Sequence, residues 1–156
     1  MMAIAAFALA IGNAQARLGW TLADCKAQWG QPFATKYNPV LGLPSYGFHA
    51  QPQLDVQVWM FNGAVASINY LSLNGAFLSA HAEDLLQRNA SGNWQLYDDG
   101  LGKATIKTWQ LNDANGQPIC YAILKRLPSG WYRLQVSMQA WSEVLQSLHA
   151  SDAINA

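Results

Sequence analysis

Charge is scarce in this chain: nine Lys and Arg stand against nine Asp and Glu, 12% of all residues, for a formal net charge of zero. So few charges form no basic patch for nucleic acid and no polybasic tail for an anionic bilayer. Neutrality also favours self-association. Cysteine is nearly missing, with only Cys25 and Cys120 present. His81-Ala82-Glu83 imitates a deaminase His-x-Glu, but no Cys-x-x-Cys follows to complete a zinc site. His49, His81 and His149 are isolated along the chain, His81 reading as a helix-surface residue, and no metal is expected. The chain has no Gly-x-Ser-x-Gly elbow. Gly100-Leu101-Gly102-Lys103 is too short for a phosphate loop, and Asp98-Asp99-Gly100 lacks the later acids and closing Glu of a calcium loop. Asp55, Glu83, Asp84 and Glu143 could serve acid–base chemistry, but no spacing brings two of them together. Neither an enzyme nor a cofactor is expected.

No apolar run is long enough to span a bilayer as a helix. The run Met2 to Ile11, followed by Ala14-Gln15-Ala16, instead reads as a secretory signal peptide over residues 1–16, cut before Arg17. This makes residues 17–156 a single exported domain, periplasmic or secreted. Cys25 follows Leu22-Ala23-Asp24, which is no lipobox, so no lipid anchor is expected.

The best-defined local structure is a short helix between Gly19 and Pro32. Thr21 suits the N-cap, and Asp24 three residues later completes a capping box. Leu22, Cys25 and Trp29 recur at helical spacing, Gly30 suits the stop, and Pro32 prevents continuation. Lys36 to Pro44 reads as a loop. Strands follow at Ser45–Gln51, in a hairpin over Leu54–Leu73, and at Trp94–Tyr97, Ala104–Leu111, Gln117–Arg126 and Trp131–Gln139. Two more helices are expected, from Ser79 to about Asn89 and from Trp141 to about His149.

Strand faces follow from which register separates apolar from polar residues. In the first hairpin, a three-residue turn ending at Gly63 pairs Val58 with Ala66, Val56 with Ile68 and Leu54 with Tyr70. Asp55, Gln57, Trp59, Ser67 and Asn69 then share the other face. In the last hairpin, a four-residue loop pairs Ile123 with Leu134 and Tyr121 with Val136, leaving Cys120, Trp131, Arg133 and Gln135 opposite. On that register Cys120 points away from Cys25, and no disulfide forms. The fold class is α+β, an antiparallel sheet with short helices packed on one face. The order of helix, strands, helix, strands suggests two αβ half-repeats.

The pattern Gly19-x-Thr21-x3-Cys25-x3-Trp29-Gly30-x-Pro32 resembles the repeat motif of β-lactamase-inhibitor-protein-like domains, which include the small lipoprotein of the outer-membrane assembly machinery. That family usually carries aliphatic residues where Cys25 and Trp29 stand. The likeness continues through Leu54 to Val65, and the opening is also similar to small secreted bacterial proteins of unknown function. The resemblance implies helices on one side of a curved antiparallel sheet, and a non-enzymatic role in which the open face docks on another protein.

Aromatic and Arg side chains amid neutral polar groups have the composition of a binding hot spot. Asp55, Gln57, Trp59, Trp131, Arg133 and Gln135 are therefore the candidate interaction face. Its expected partner is another extracytoplasmic protein. The alternative is a small ligand or glycan held by the same tryptophans.

Overall fold

A computed structural model of the chain describes residues 17–39, 42–96 and 105–138. The expected signal peptide, the Asp98–Gly102 turn and the Trp141–His149 helix lie outside the described residues.

Helix α1 (Leu22–Trp29) has the expected capping box: Thr21 Oγ1 accepts from the Asp24 N–H at 3.2 Å, and Asp24 Oδ2 accepts from the Thr21 N–H at 2.8 Å. Its stop is Gly30, at φ +81°, whose N–H donates to Lys26 O at 2.8 Å. The apolar stripe faces inward, with Cys25 fully buried and Leu22 and Trp29 packed on the core. Trp20 lies against Trp29 with ring centroids 6.2 Å apart, and Trp29 meets Phe48 at 5.2 Å. Residues just before the helix are tied to the sheet by Gly19 N–H to Val65 O and Val65 N–H to Trp20 O, both 2.8 Å.

The Thr21 N–H, and then the Thr21 hydroxyl, which also donates to Asp24 Oδ2 at 2.8 Å, hold the Asp24 carboxyl below its ordinary value of 3.8. Because the folded value is depressed, its stabilisation is present above the unfolded value and lost as pH falls through the folded one. NMR titration should place the Asp24 midpoint below 3.8. Thr21→Ala should return the midpoint upward and lower stability by about 1 kcal/mol, as lost N-caps typically do.

The strands are β1 (Ala34–Asn38), β2 (Leu43–Gln51), β3 (Leu54–Phe61), β4 (Ala64–Ser72), β5 (Trp94–Leu96), β6 (Thr105–Asn112), β7 (Pro118–Arg126) and β8 (Tyr132–Met138). Helix α2 (Gly75–Asn89) lies between β4 and β5. All eight strands form one antiparallel sheet in the order β1-β2-β3-β4-β8-β7-β6-β5. Among the described residues, each helix thus precedes a four-stranded meander, and the meanders join at β4 and β8 in the middle of the sheet. The α+β class with an antiparallel sheet is as expected from the sequence.

Strand β1 occupies part of the stretch expected to be a loop. Its central residues Thr35, Lys36 and Tyr37 are exposed, so an edge strand of this kind leaves no buried alternation to read. Helix α2 begins earlier than Ser79: Asn74 is the cap, its Oδ1 accepting from the Phe77 N–H at 3.0 Å. Its buried stripe contains Ala82, Leu85 and Leu86, and also Leu78. His81 is a correction, because it is buried rather than on the helix surface. Its Nδ1 donates to Phe77 O at 2.7 Å, and its ring lies 4.4 Å from that of Phe77.

Both hairpin registers also differ from expectation. In β3–β4 the turn has two residues, Asn62 and Gly63 at φ +52° and +77°, and a bulge follows between the pairs Met60–Val65 and Trp59–Ser67. Val58 therefore meets Ile68 and Val56 meets Tyr70. The shift from the expected pairing is two residues, which preserves both faces. In β7–β8, Leu127 N–H donates to Trp131 O at 2.7 Å, closing a three-residue loop with Gly130 at φ +89°. Leu124 then pairs with Leu134 and Ala122 with Val136, one residue away from expectation. That single step turns β7 over. Cys120, Ala122 and Leu124 are buried, whereas Ile119 is exposed.

Both thiols are free, but the expected reason does not hold, since Cys120 is on the buried side. Lateral distance separates them instead. Helix α1 packs on β2, while β7 is four strands away, about 19 Å at a strand spacing of about 4.8 Å. A disulfide tolerates a Cα separation of only about 7 Å.

Candidate functional site

The sheet face away from the core residues is ordered by its register into transverse rows. One row runs His49–Asp55–Leu71–Arg133–Lys125 across β2, β3, β4, β8 and β7. The next runs Gly47–Gln57–Asn69–Gln135–Ile123, and a third runs Ser45–Trp59–Ser67–Ser137–Tyr121. Trp131 lies beyond the first row, at the β7–β8 turn. All six candidate residues are half-buried. Register brings Asp55, Gln57, Trp59, Arg133 and Gln135 to one surface, with Trp131 at its rim.

The small polar side chains form its floor. Asn69 Nδ2 donates to Gln57 Oε1 at 3.1 Å, and Gln57 Nε2 donates to Ser45 Oγ at 3.3 Å. Ser67 and Ser137 share a hydrogen bond at 2.9 Å, and Gln135 Nε2 donates to Ser137 Oγ at 3.3 Å. Ser45, Ser67, Asn69 and Ser137 are all buried. Among the described residues, two atoms on this face are buried without a hydrogen-bond partner: Asn69 Oδ1 and Arg133 Nε. Buried orphans of this kind typically cost about 1–3 kcal/mol each.

His49, which the sequence left isolated, joins the candidate face. The Pro52-Gln53 turn brings it opposite Asp55, and its Nδ1 donates to the Asp55 carboxylate at 2.7 Å. Phe33 stacks on its ring at a centroid distance of 4.0 Å. Strand alternation on both sides of Pro52 contained the signal, but the bulge between His49 and Gln51 obscured the pairing. Beside this pair a groove of about 440 Å³ is lined by residues that include His49, Gln53, Asp55, Leu73, Asn74 and Trp131. A smaller hollow of about 160 Å³ lies over β1 to β4, bordered by Phe33, Lys36, Gln57 and Leu71 among others.

The thiols offer no nucleophile at neutral pH. Burial pushes Cys25 up to about 11, with the neighbouring Asp24 charge adding to the effect, and burial alone pushes Cys120 up to about 11. Among the described residues no three His, Cys, Asp or Glu side chains converge as a metal-binding group, and no helix is long and apolar enough to cross a membrane.

Trp59 and Trp131 are far apart. Successive rows are two residues, about 6.8 Å, apart, so three rows separate the two backbone positions by about 20 Å along the strands. An extended ligand such as an oligosaccharide and a protein footprint of about 800 Å² can each cover that distance.

No family model matches the chain, and no curated protein matches it. Among solved structures, a cysteine-rich secretory protein from Staphylococcus aureus is similar, at 10% identity and a TM-score of 0.42. The alignment covers 80% of this chain and 44% of that one, so this chain spans less than half of that protein's length.

Proposed function

We propose that this protein is an exported, non-catalytic domain that docks on another extracytoplasmic protein through the sheet face opposite the helices. The observation that carries this reading is the breadth of the candidate surface. Two tryptophans whose backbone positions lie about 20 Å apart flank a floor of buried, mutually hydrogen-bonded polar side chains. Such a surface suits a broad footprint with separate anchors. The resemblance to β-lactamase-inhibitor-protein-like domains, whose sheet docks on proteins, agrees with it. The two helix-plus-meander units are read as related halves of that fold.

Trp59→Ala combined with Trp131→Ala should weaken capture of the partner from an extracytoplasmic extract by about thirtyfold or more, the effect of losing a hot-spot side chain. Circular dichroism should show the fold intact. Unchanged capture by a folded double variant overturns the proposal.

A second reading, glycan binding, is favoured by the groove at the rim. There Trp131 offers a stacking surface, and Asp55, His49, Asn74 and Gln53 offer planar hydrogen-bonding groups. It predicts quenching of Trp131 fluorescence by members of a sugar panel, with no dependence on Trp59.

A further inference from the structure

Formal neutrality of the chain conceals an uneven face. Among the described residues, the registered strand faces place Lys36, Lys125 and Arg133 on the face away from the core with one carboxylate, Asp55. Asp55 is engaged by His49 at 2.7 Å. Leu71 separates it from Arg133 in the row, so the two are about two strand spacings, roughly 10 Å, apart.

Arg133 and Lys125 are direct cross-strand neighbours. Like charges at such positions repel. Both are half-buried, and both are held below their ordinary values, Arg133 by burial and Lys125 by burial and then by Arg133. No described acid compensates this pair, and Arg133 Nε is a buried donor with no acceptor. One diagonal step away, Asn69 Oδ1 is a buried acceptor with no donor, because the Asn69 amide nitrogen is committed to Gln57. An unfilled donor in a cationic pair beside an unfilled acceptor matches a peptide that carries a carboxylate and a backbone N–H. A bare anion supplies the acceptor alone.

We propose that Arg133 and Lys125 receive a side-chain carboxylate from an acidic segment of the protein partner, with Asn69 accepting from that segment's backbone. This rests on the docking reading above and gives it a partner chemistry.

The test uses an N-acetylated, C-amidated tetraglutamate peptide, with the tetralysine peptide and inorganic phosphate as comparisons. In the arginine side-chain NMR spectrum, tetraglutamate should move the Arg133 Nε–Hε resonance saturably, and tetralysine should not. Binding should weaken as salt rises. R133Q should weaken it at least tenfold, as loss of a charge-assisted hydrogen bond does. R133K, which keeps the charge and loses the planar fork, should fall between them. K125Q supplies an independent arm should R133Q fail to fold, and should weaken binding severalfold. Equal binding by wild type and folded R133Q overturns the inference, as does an unmoved Arg133 resonance. Phosphate binding as tightly as tetraglutamate also overturns it, by assigning the pair to small anions.

The two proposals fail separately. If the tryptophan double variant loses its partner while tetraglutamate does not bind, docking stands without the acidic segment. If tetraglutamate binds at Arg133 while the double variant keeps its partner, the docking face is wrong.

Discussion

Ala122→Glu should unfold the domain, while Ile123→Glu, one residue later on the same strand, should leave it folded. Ala122 is 1% exposed and lies between Trp109 on β6 and Val136 on β8, both buried. A carboxylate there has neither water nor a partner, and it must also displace packed side chains. Substitutions that bury an unpaired charge belong to the class losing more than about 4 kcal/mol. Ile123 faces the other way, half-buried between Thr108 and Gln135. A glutamate at that position reaches solvent and lies two residues from Lys125 on the same face of β7, so its cost should stay within about 1 kcal/mol. Urea denaturation of the two variants decides the matter. The reverse order of stability would restore the register expected from the loop sequence.

That pair of residues marks the point where the sequence stopped being legible. The first hairpin was misregistered by two and the second by one, yet only the second error changed the faces. Both arose at the turns. Asn62-Gly63 makes a two-residue turn plus a bulge at Ala66, and Leu127 proved to belong to the strand ladder rather than to the loop. In the first hairpin, alternation over Asp55 to Trp59 and Ser67 to Tyr70 was strong enough to fix the faces despite the turn. In β7 nearly every position is apolar, Ile119 through Leu124, so alternation held no information and the loop length alone decided.

The candidate face was legible for a related reason. Asp55, Gln57 and Trp59 alternate with Leu54, Val56 and Val58, and Arg133 and Gln135 alternate with Leu134 and Val136. Each strand therefore declared its polar side without any knowledge of its neighbours. What no single strand could declare was the transverse order: Arg133 beside Lys125, His49 beside Asp55, and the two tryptophans separated by three rows. Those relations depend on long-range pairing and on bulges, which local pattern does not encode. The capping box of α1 was legible in full because all of its partners lie within four residues.

Phe48→Ala should lower stability by about 3–5 kcal/mol and expose one cysteine while leaving the other protected. Phe48 is fully buried on β2, and its ring is 5.2 Å from that of Trp29. Helix α1 has only eight residues, too short to persist without tertiary packing. Trp29, packed with tilted rings between Trp20 and Phe48, is a principal part of that packing. Removing the ring forfeits its transfer free energy and leaves a cavity under the helix, the combination that gives Phe→Ala substitutions their size. The domain should therefore melt roughly 10 °C lower. Because the cavity lies under α1, that helix should detach before the sheet unfolds. Cys25 is carried by α1 and Cys120 by β7, so thiol labelling separates local from global opening. In the variant under native conditions, Cys25 should label at least a hundredfold faster than in the wild type. Cys120 should keep the rate set by global unfolding. Labelling of both thiols in the variant at the same global unfolding rate would mean that α1 opens only with the whole sheet, and that its anchorage is shared more widely than Phe48 and Trp29.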